Sequence, residues 1–489
     1  MKSWPRSPII YEINTWVWLN ELSRNYNQPI SLRNVPAEEL DALSSYGFDA
    51  VWLMGVWERS PAGTSIARKL QMLRDDCRKA LPDFHPEDVV GSPYCVHRYM
   101  VDERLGGPKG LAITREMLAK RGMRLILDFV PNHTAIDHPW VSKNPEYFIQ
   151  GTREDLEESP EAFFESGGTV FACGRDPFFP PWKDTAQVNA FASGLRRAYV
   201  DALLRIAEQC DGVRCDMAML LMGNVFEGTW GTRIGTRSPA EFWEEMITAL
   251  RKASSDFLFM AEVYWDLEPE LLKQGFDYCY DKRLYDLLVS GNANSIRRHL
   301  KADPAYQGKL VRFIENHDES RAAETFSPHK LTAAAAAFAT LPGAKLLHDG
   351  QLEGRKVKLP VQLGRRPAED CDEKLNLFYR RLLEEIRSPA LREGDWCLCE
   401  PSGWPDNSSF QNLLAWCWRK DEEWRLIVIN YSNTRSQGHV RLPWDDLGVG
   451  VWHMTDLFSD SVYERDGKEM IEPGLFVDLE PGGFHYLIF

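Results

Sequence analysis

Four acidic side chains stand at the ends of short apolar runs of the sequence: Asp128, Asp216, Glu262 and Asp318. Each run has the length of a β-strand, and helical stretches separate the runs, as in a parallel α/β fold. The carboxyl ends of the strands of a closed parallel barrel converge on one face, so these acids are expected to meet. One such acid alone commonly caps a helix. Four carboxyls together repel one another and are costly to desolvate, which favours a function.

The acid at Asp216 has a cation close by in the sequence. Arg214 lies two positions earlier, and side chains two apart on a strand point to the same side. An adjacent guanidinium keeps a carboxylate ionised and oriented, as a nucleophile requires. Taken alone, this pair is better explained as an inert structural Arg–Asp pair. Cys215 points to the other side and is interpreted as a packing residue, since no matching His partner is evident.

The acid at Glu262 has mainly apolar and aromatic neighbours in the segment Phe259–Trp265. Desolvation in such surroundings favours the protonated form of a carboxyl group, which suits a proton donor. Pairing of Glu262 with a neighbouring cation is an equally good explanation of this segment alone. One ionised Asp facing one protonated Glu is the smallest set of catalytic groups that retaining glycoside hydrolysis requires.

Four segments of the chain resemble the four signature regions of the α-amylase superfamily. They are Asp128–His133, Gly212–Asp216, Ala261–Tyr264 and Asn316–Asp318, and they occur in the family's order on the matching predicted strands. The stretches Gly91–Tyr94 and Thr340–Gly343 resemble further segments that follow the second strand and precede the eighth. The resemblance spans about residues 8–390.

This resemblance implies a role for each matching side chain. Asp216 would be the nucleophile, Glu262 the general acid/base, and Asp318 the acid that holds the sugar hydroxyls in the transition state. The predicted substrate-binding residues around the reacting ring are Tyr94, which would stack on that ring, Asp128, His133, Arg214 and His317.

The alternation of strands and helices predicts a (β/α)8 TIM barrel with a small domain B after strand 3 and a C-terminal antiparallel β-sandwich. The predicted domains are residues 1–133 and 185–390 for the barrel, 134–184 for domain B and 391–489 for the sandwich. The predicted barrel strands are Ile9–Asn14, Ala50–Met54, Arg124–Asp128, Gly212–Asp216, Leu258–Glu262, Phe276–Tyr280, Leu310–Glu315 and Ala344–Leu347.

The chain departs from many α-amylases just after Asp216. A Lys-His pair is common there, and the His carbonyl helps to bind calcium, whereas this chain continues with Met217–Met222. Asn132 matches a calcium ligand of the family, but one ligand does not make a site. Gln351 is followed by Glu353 where the reverse order is commoner. We therefore predict no cofactor and no metal residues, and we leave calcium open.

The composition of the chain restricts the classes of binding partner and the cellular compartment that we expect. The 489 residues carry a net charge of −15, which argues against nucleic acid because phosphate binding needs clustered Lys and Arg. No apolar run reaches the length of a membrane span. Ten scattered Cys are typical of reduced thiols in a cytoplasmic protein. The expected partner is an oligosaccharide or α-glucan, and the oligomeric state is left open.

Three functions are weighed on these observations. The first is a retaining α-glycosidase that cleaves maltooligosaccharides or related α-glucans by double displacement. The second is a transglycosylase that passes glucosyl or maltosyl units to a sugar or phosphate acceptor. The third is a non-catalytic binding or scaffold member of the fold, which would be expected to lose at least one of the three acids. All three are present at Asp216, Glu262 and Asp318.

Overall fold

The structure, a computed structural model, describes residues 3–448 and 450–489. Eight short parallel strands hydrogen-bond in the closed order β1-β8-β7-β6-β5-β4-β3-β2. Their residues are buried throughout, as expected of parallel strands covered on both faces. The predicted barrel is therefore confirmed. The strands are β1 (Ile9–Asn14), β2 (Ala50–Met54), β3 (Arg124–Phe129), β4 (Gly212–Cys215), β5 (Leu258–Ala261), β6 (Tyr278–Tyr280), β7 (Leu310–Arg312) and β8 (Ala344–His348).

Several strands end earlier than the sequence predicted, and two of these ends matter for function. Strands β4 and β5 stop one residue before their acids, at Cys215 and Ala261. The backbone amides of Asp216 and Glu262 still donate to the carbonyls of Phe129 and Cys215, at 2.9 and 3.0 Å. Both acids are thus held by the barrel's hydrogen bonding although their own residues have left the regular strand.

Helices alternate with the strands, as the period of their apolar residues predicts. The helix Pro328–Thr340 begins at a proline, which suits the first turn of a helix, and it ends before Pro342. The longer helices are Thr15–Asn25, Ala37–Ser45, Pro61–Lys69, Gln71–Ala80, Gly107–Lys120, Ser193–Ala207, Gly223–Trp230, Phe242–Ala253, Lys282–Ser290, Ala293–Leu300, Pro328–Thr340 and Glu373–Glu385.

The two long connections contain structure of their own. The connection after β2 holds the helices Pro61–Lys69 and Gln71–Ala80. In the connection after β3, two short strands pair antiparallel, His133–Ala135 near its start and Thr185–Gln187 further along the chain. It also contains a hairpin of Phe163–Ser166 and Thr169–Ala172. The boundaries of a separate domain B stay a prediction.

The C-terminal part is an antiparallel sandwich, as predicted. A six-stranded sheet has the order Asp395–Cys399, Leu413–Lys420, Glu423–Asn430, Phe484–Ile488, Val451–Asp456, Val462–Asp466. A three-stranded sheet has the order Pro401–Ser402, Ser436–Val440, Leu475–Leu479. Buried side chains from both sheets, among them Leu426, Val428, Val440 and Val477, form one hydrophobic cluster.

The residues of the chain group into two compact units. The first is Ile10–Tyr280 with Val357–Glu369, and the second is Trp4–Ile9, Asp281–Lys356 and Asp370–Phe489. All ten cysteines are free thiols. None of the helices in the part of the chain that the structure describes is both long and apolar enough to cross a membrane.

Candidate active site

The centre of the first unit's polar cluster is the guanidinium of Arg214, which is fully buried at the end of β4. Its Nη1 lies 2.7 Å from Oδ1 of Asp216, and its Nη2 lies 2.7 Å from Oε2 of Glu262. Nη1 is also 3.9 Å from Oδ1 of Asp128, the residue opposite Arg214 on β3. The structure thus brings together four of the predicted residues, three acids and the one cation.

Arg214 is held charged by these neighbours. Burial alone would lower its pKa, but the nearby acids Glu262 and Asp216, together with Tyr94 and Tyr280, raise the pKa well above its usual value. Its guanidinium carbon also lies over the ring of Tyr94, 5.0 Å from the ring centre. A cation on an aromatic face is further stabilised by the ring's electron density. This Arg is therefore a permanent positive charge shared between two carboxyls.

Glu262 is buried as expected, but its carboxyl is surrounded by hydrogen-bond donors as well as apolar groups. Besides Arg214, the backbone amide of Met217 donates to Oε2 and the hydroxyl of Tyr264 donates to Oε1, both at 2.7 Å. Donors of this kind favour the carboxylate form. The apolar residues next to Glu262 in the sequence therefore do not account for the hydrogen-bond donors that contact its carboxyl group. The role of Glu262 as proton donor stays a prediction.

The backbone turns sharply directly after Asp216. Met217 adopts a left-handed conformation with φ 44° and ψ 46°, which is unfavourable for a residue with a large side chain. The following turn, Ala218–Leu221, is buried, and the amide of Ala218 donates to the carbonyl of Glu262 at 2.9 Å. The strained turn thereby ties the Asp216 segment to the Glu262 segment through two hydrogen bonds.

His133 and Tyr94 are also neighbours. Nε2 of His133 lies 3.0 Å from the carbonyl oxygen of Tyr94, and the His133 ring centre lies 5.0 Å from that of Trp182. Burial lowers the pKa of His133 to about 4, so its ring is neutral near neutral pH. A neutral imidazole can donate one hydrogen bond and accept another. Here both ring nitrogens have protein partners, because Nδ1 lies 3.3 Å from Nδ2 of Asn132, so these contacts fix the ring beside Tyr94.

The second unit holds the other two predicted residues, His317 and Asp318. Nε2 of His317 lies 2.8 Å from Oδ2 of Asp318. The side-chain oxygen of Asn316 accepts hydrogen bonds from the amides of Asp318 and Glu319, both at 2.9 Å. The Asp318 side chain is 40% exposed, in contrast to the nearly buried acids of the first unit. The turn therefore presents a carboxyl that is fixed in place and open to solvent.

No group of three or more His, Cys, Asp or Glu side chains in residues 3–448 and 450–489 could hold a metal ion. The amide of Asn132, the residue that matches a calcium ligand, is in contact with other side chains: Nε2 of Gln187 donates to its Oδ1 at 3.2 Å. Calcium binding was left open by the sequence and stays untested.

Three side chains near these acids were not singled out from the sequence. Tyr264 lies two residues after Glu262, the same spacing that pointed to Arg214 beside Asp216, so that signal was available. Trp182 contacts His133 from 49 positions further along the chain, as their numbers in the sequence show. Phe178 packs on Trp265 with ring centres 5.0 Å apart, although both are exposed. Sequence spacing carries no signal for the last two contacts.

The model of the α-amylase catalytic domain matches residues 36–274, a range that includes Asp128, Arg214, Asp216 and Glu262. Residues 36–274 are therefore assigned to the catalytic-domain family of the α-amylases. The chain is 25% identical over 453 residues to an α-amylase of Haloarcula japonica, a match that covers 88% of this chain and 56% of that protein. It spans about half the length of the curated relatives that it matches.

Solved structures of this family share the fold. A maltogenic α-amylase of Thermotoga neapolitana aligns with a TM-score of 0.70 at 18% identity, with 99% of both chains covered. An α-amylase of Lactobacillus plantarum aligns with a TM-score of 0.71, also at 18% identity and with 99% of both chains covered. At this identity the likeness concerns the fold of this family member and not its substrate.

Proposed function

We propose that this α-amylase family member is a glycoside hydrolase that cleaves α-glucosidic bonds in maltooligosaccharides with retention of configuration. The observation that carries the proposal is the sharing of one guanidinium, that of Arg214, between Asp216 and Glu262. Two carboxyls bound to adjacent nitrogens of one group lie close together. Retaining enzymes place their two carboxyls about 5–5.5 Å apart, whereas inverting enzymes need roughly 6.5–9.5 Å to admit a water between them.

The first step forms an ester. An oxygen of Asp216 attacks the anomeric carbon, the bond from that carbon to the leaving oxygen breaks, and Glu262 transfers its proton to that oxygen. The negative charge of Asp216 favours the protonated form of Glu262 before this step. Arg214 orients both carboxyls, and Asp318 is the third acid, proposed to hold the hydroxyls of the distorted ring.

The second step releases the sugar. Ester formation removes the charge of Asp216, so the charge of Arg214 and the Met217 and Tyr264 donors now favour the carboxylate of Glu262. Glu262 accepts a proton from water, the water oxygen bonds to the anomeric carbon, and the ester bond to Asp216 breaks. Two displacements return the original α configuration.

Proton NMR of the product during the first minutes of turnover tests this proposal directly. Maltotriose or maltoheptaose should give the α anomer first, and the β anomer should follow only by mutarotation. Appearance of the β anomer first would exclude the double displacement.

We also propose that short oligosaccharides are preferred to starch. The connection after β3 contains His133, which contacts Trp182 within the connection and the carbonyl of Tyr94 outside it. Long loops at the carboxyl ends of barrel strands commonly wall a binding cleft. A panel of maltose, maltoheptaose, trehalose, sucrose, pullulan and granular starch, with and without phosphate, would test both linkage and length. Equal specific activity on starch would contradict the length preference.

A second candidate function, transfer to a sugar acceptor, is favoured by the pair of Phe178 and Trp265. Trp265 lies three residues after Glu262, and both rings are exposed, to 72% for Phe178 and 39% for Trp265. Exposed aromatic faces suit the C–H faces of sugar rings. A sugar held beside Glu262 would compete with water for the ester. Products longer than the substrate would reveal this transfer.

The non-catalytic alternative has weaker support, because the acids of the first unit are in contact with Arg214 and none is missing. Release of reducing sugar from maltooligosaccharides would exclude it. The cytoplasmic location stays a prediction from cysteine usage.

A further inference from the structure

Three cysteines lie close together in the C-terminal sheets of the second unit. Cys397 and Cys399 belong to the strand Asp395–Cys399, and Cys417 belongs to the neighbouring strand Leu413–Lys420. The two strands are antiparallel, and Cys397 is the residue directly opposite Cys417. Side chains of directly opposite residues lie on the same face of a sheet and contact each other. The register therefore places the side chains of Cys397 and Cys417 next to each other.

Cys397 and Cys417 differ in their exposure. Asp395–Cys399 is the first strand in the order of the six-stranded sheet, so it forms an edge of that sheet. Cys397 on this edge strand is exposed, whereas Cys417 on the next strand is buried in the hydrophobic cluster of the sandwich. A small oxidant in solution therefore reaches Cys397 first.

The thiol of Cys397 is also the more acidic of the two. A hydrogen bond from the Cys417 thiol lowers the pKa of Cys397 to about 6. The same contact raises the pKa of Cys417 well above its usual value, because Cys417 keeps the proton that it donates. The thiolate and not the thiol is the nucleophile in cysteine chemistry. Cys397 is thus the member of the pair that carries a thiolate at neutral pH.

The register favours a disulfide of Cys417 with Cys397 over one with Cys399. Opposite residues of an antiparallel pair have Cα atoms about 4.5–5.5 Å apart, within the range of about 4.4–6.8 Å that a disulfide requires. The thiol of Cys399 also contacts Cys417, but Cys399 is opposite Ala415 and therefore diagonal to Cys417. Diagonal neighbours are typically about 7–8 Å apart. Cys399 is therefore a matched control for the pair.

From these features we infer that Cys397 is a reversible oxidation site, which hydrogen peroxide converts to a disulfide with Cys417. In the first step the Cys397 thiolate bonds to one peroxide oxygen, the O–O bond breaks, and the released hydroxide takes a proton from solvent to form water. The sulfur is thereby oxidised to a sulfenic acid, and the peroxide is reduced.

The second step forms the cross-strand link. A sulfenic acid carries no charge, so the contact that held the proton on Cys417 is weakened. The sulfur of Cys417 bonds to that of Cys397, the S–O bond breaks, and the hydroxide leaves with the Cys417 proton as a second water. A dithiol reductant returns both thiols by exchange. The inference is independent of the proposed catalysis, since it concerns residues outside the catalytic-domain match.

Mass analysis of the full-length protein tests the inference. Protein that has been reduced and freed of reductant is treated with hydrogen peroxide at pH 7. It should lose the mass of two hydrogen atoms, and dithiothreitol should restore that mass. Digestion with trypsin and Asp-N separates residues 395–405, which contain Cys397 and Cys399, from residues 406–419, which contain Cys417. The two peptides should be recovered linked to each other.

Substitutions identify the two linked cysteines. Cys399→Ser should still form the link, whereas Cys397→Ser and Cys417→Ser should not. In Cys417→Ser protein the sulfenic acid lacks its partner thiol, so dimedone should label the peptide of residues 395–405, and fragmentation should place the label on Cys397. Far-UV circular dichroism of the reduced variants confirms that each is folded.

Iodoacetamide labelling of the reduced protein tests the reactivity of Cys397 separately. The labelling rate of Cys397 should rise with pH around a midpoint near 6. Cys371 is the internal control, because it is also exposed but burial and the neighbouring acid Glu373 raise its pKa. Its labelling at pH 7 should be several-fold slower. The inference would be overturned by the absence of a link in the parent protein, by a link that survives Cys397→Ser, or by equal labelling rates of Cys371 and Cys397.

Discussion

Nη2 of Arg214 lies 2.7 Å from Oε2 of Glu262, while Nη1 of the same side chain contacts Asp216 at 2.7 Å. The sequence named Arg214 as the neighbour of Asp216, and it left a cation beside Glu262 open without naming one. The contact with Glu262 means that the position of the proposed proton donor depends on the same cation as the position of the proposed nucleophile.

Arg214→Lys should therefore be far from conservative. A lysine carries one point charge and cannot bind two carboxyls with separate nitrogens, so one acid loses its partner. We expect kcat to fall by about 100-fold or more and the free energy of unfolding to drop by about 3 kcal/mol, as for a broken buried ion pair. Arg33→Lys is the matched control, because its pair with Glu103 is exposed and should change stability by under about 1 kcal/mol. Equal effects of the two substitutions would contradict this role.

Asp216→Asn removes the attacking charge at nearly constant volume. Turnover should fall by several orders of magnitude while the melting curve stays cooperative, since the fold is retained. Glu262→Gln should instead slow substrates with poor leaving groups most, because glycosyl fluorides need little protonation. With such a fluoride, Glu262→Gln protein should accumulate the ester, and peptide mass analysis should locate it on Asp216. A label on any other residue would refute the assignment.

The aromatic pair can be tested by the ratio of transfer to hydrolysis. Trp265→Ala removes the ring on which Phe178 packs, so under the proposed acceptor role a sugar should compete less well with water. The yield of products longer than the substrate should fall several-fold, and hydrolysis without added acceptor should change much less. Phe476→Ala is the control, because Phe476 is a similarly exposed ring in the C-terminal sheets. An unchanged product ratio would exclude an acceptor role for the pair.

Chelation tests the prediction that no structural calcium is bound. Excess chelator should leave activity unchanged and the melting temperature within about 1 °C, because an ion bound only to the native state would stabilise it by mass action. A fall of several degrees that added calcium reverses would contradict the prediction.

His133 makes stability depend on pH. Its pKa is lowered from 6.5 to about 4 by burial, so the unfolded chain binds the proton first as the pH falls. The stability due to its neutral form is complete above about pH 6.5 and is lost progressively toward pH 4. Between pH 7.5 and pH 5 it should account for about 2 kcal/mol of the loss in the free energy of unfolding.

Denaturant titrations at these two pH values check the prediction. His133→Gln should reduce the difference between them by that amount, whereas His453→Gln, which changes an exposed residue, should leave it unchanged. A His133→Gln protein with the parent's full pH dependence would show that His133 does not contribute.

The sequence predicted the barrel, the sandwich and the cluster of Asp128, Arg214, Asp216 and Glu262, because apolar runs and strand ends follow local periodicity. It did not predict the donors around Glu262, since the amide of Met217 comes close only through a left-handed turn. Contacts such as His133 with Trp182 depend on loop conformation, for which spacing gives no rule. The strand Leu413–Lys420 was not identified in advance, because its six apolar residues are followed directly by Arg419 and Lys420 without the alternation that marks a strand with one solvent-facing side.

The sharing of Arg214 also sets the electric field of the centre. With Glu262 protonated, as the proposed first step requires, the ionised forms of Asp128 and Asp216 supply two negative charges around a single positive one. Such a surplus is poorly screened by solvent because it is buried, so it would favour a sugar carbon that becomes cationic as its glycosidic bond breaks. The same surplus would repel anionic sugars, so we expect the centre to distinguish a neutral glucoside from a sugar phosphate or a uronic acid by charge before any hydroxyl is recognised.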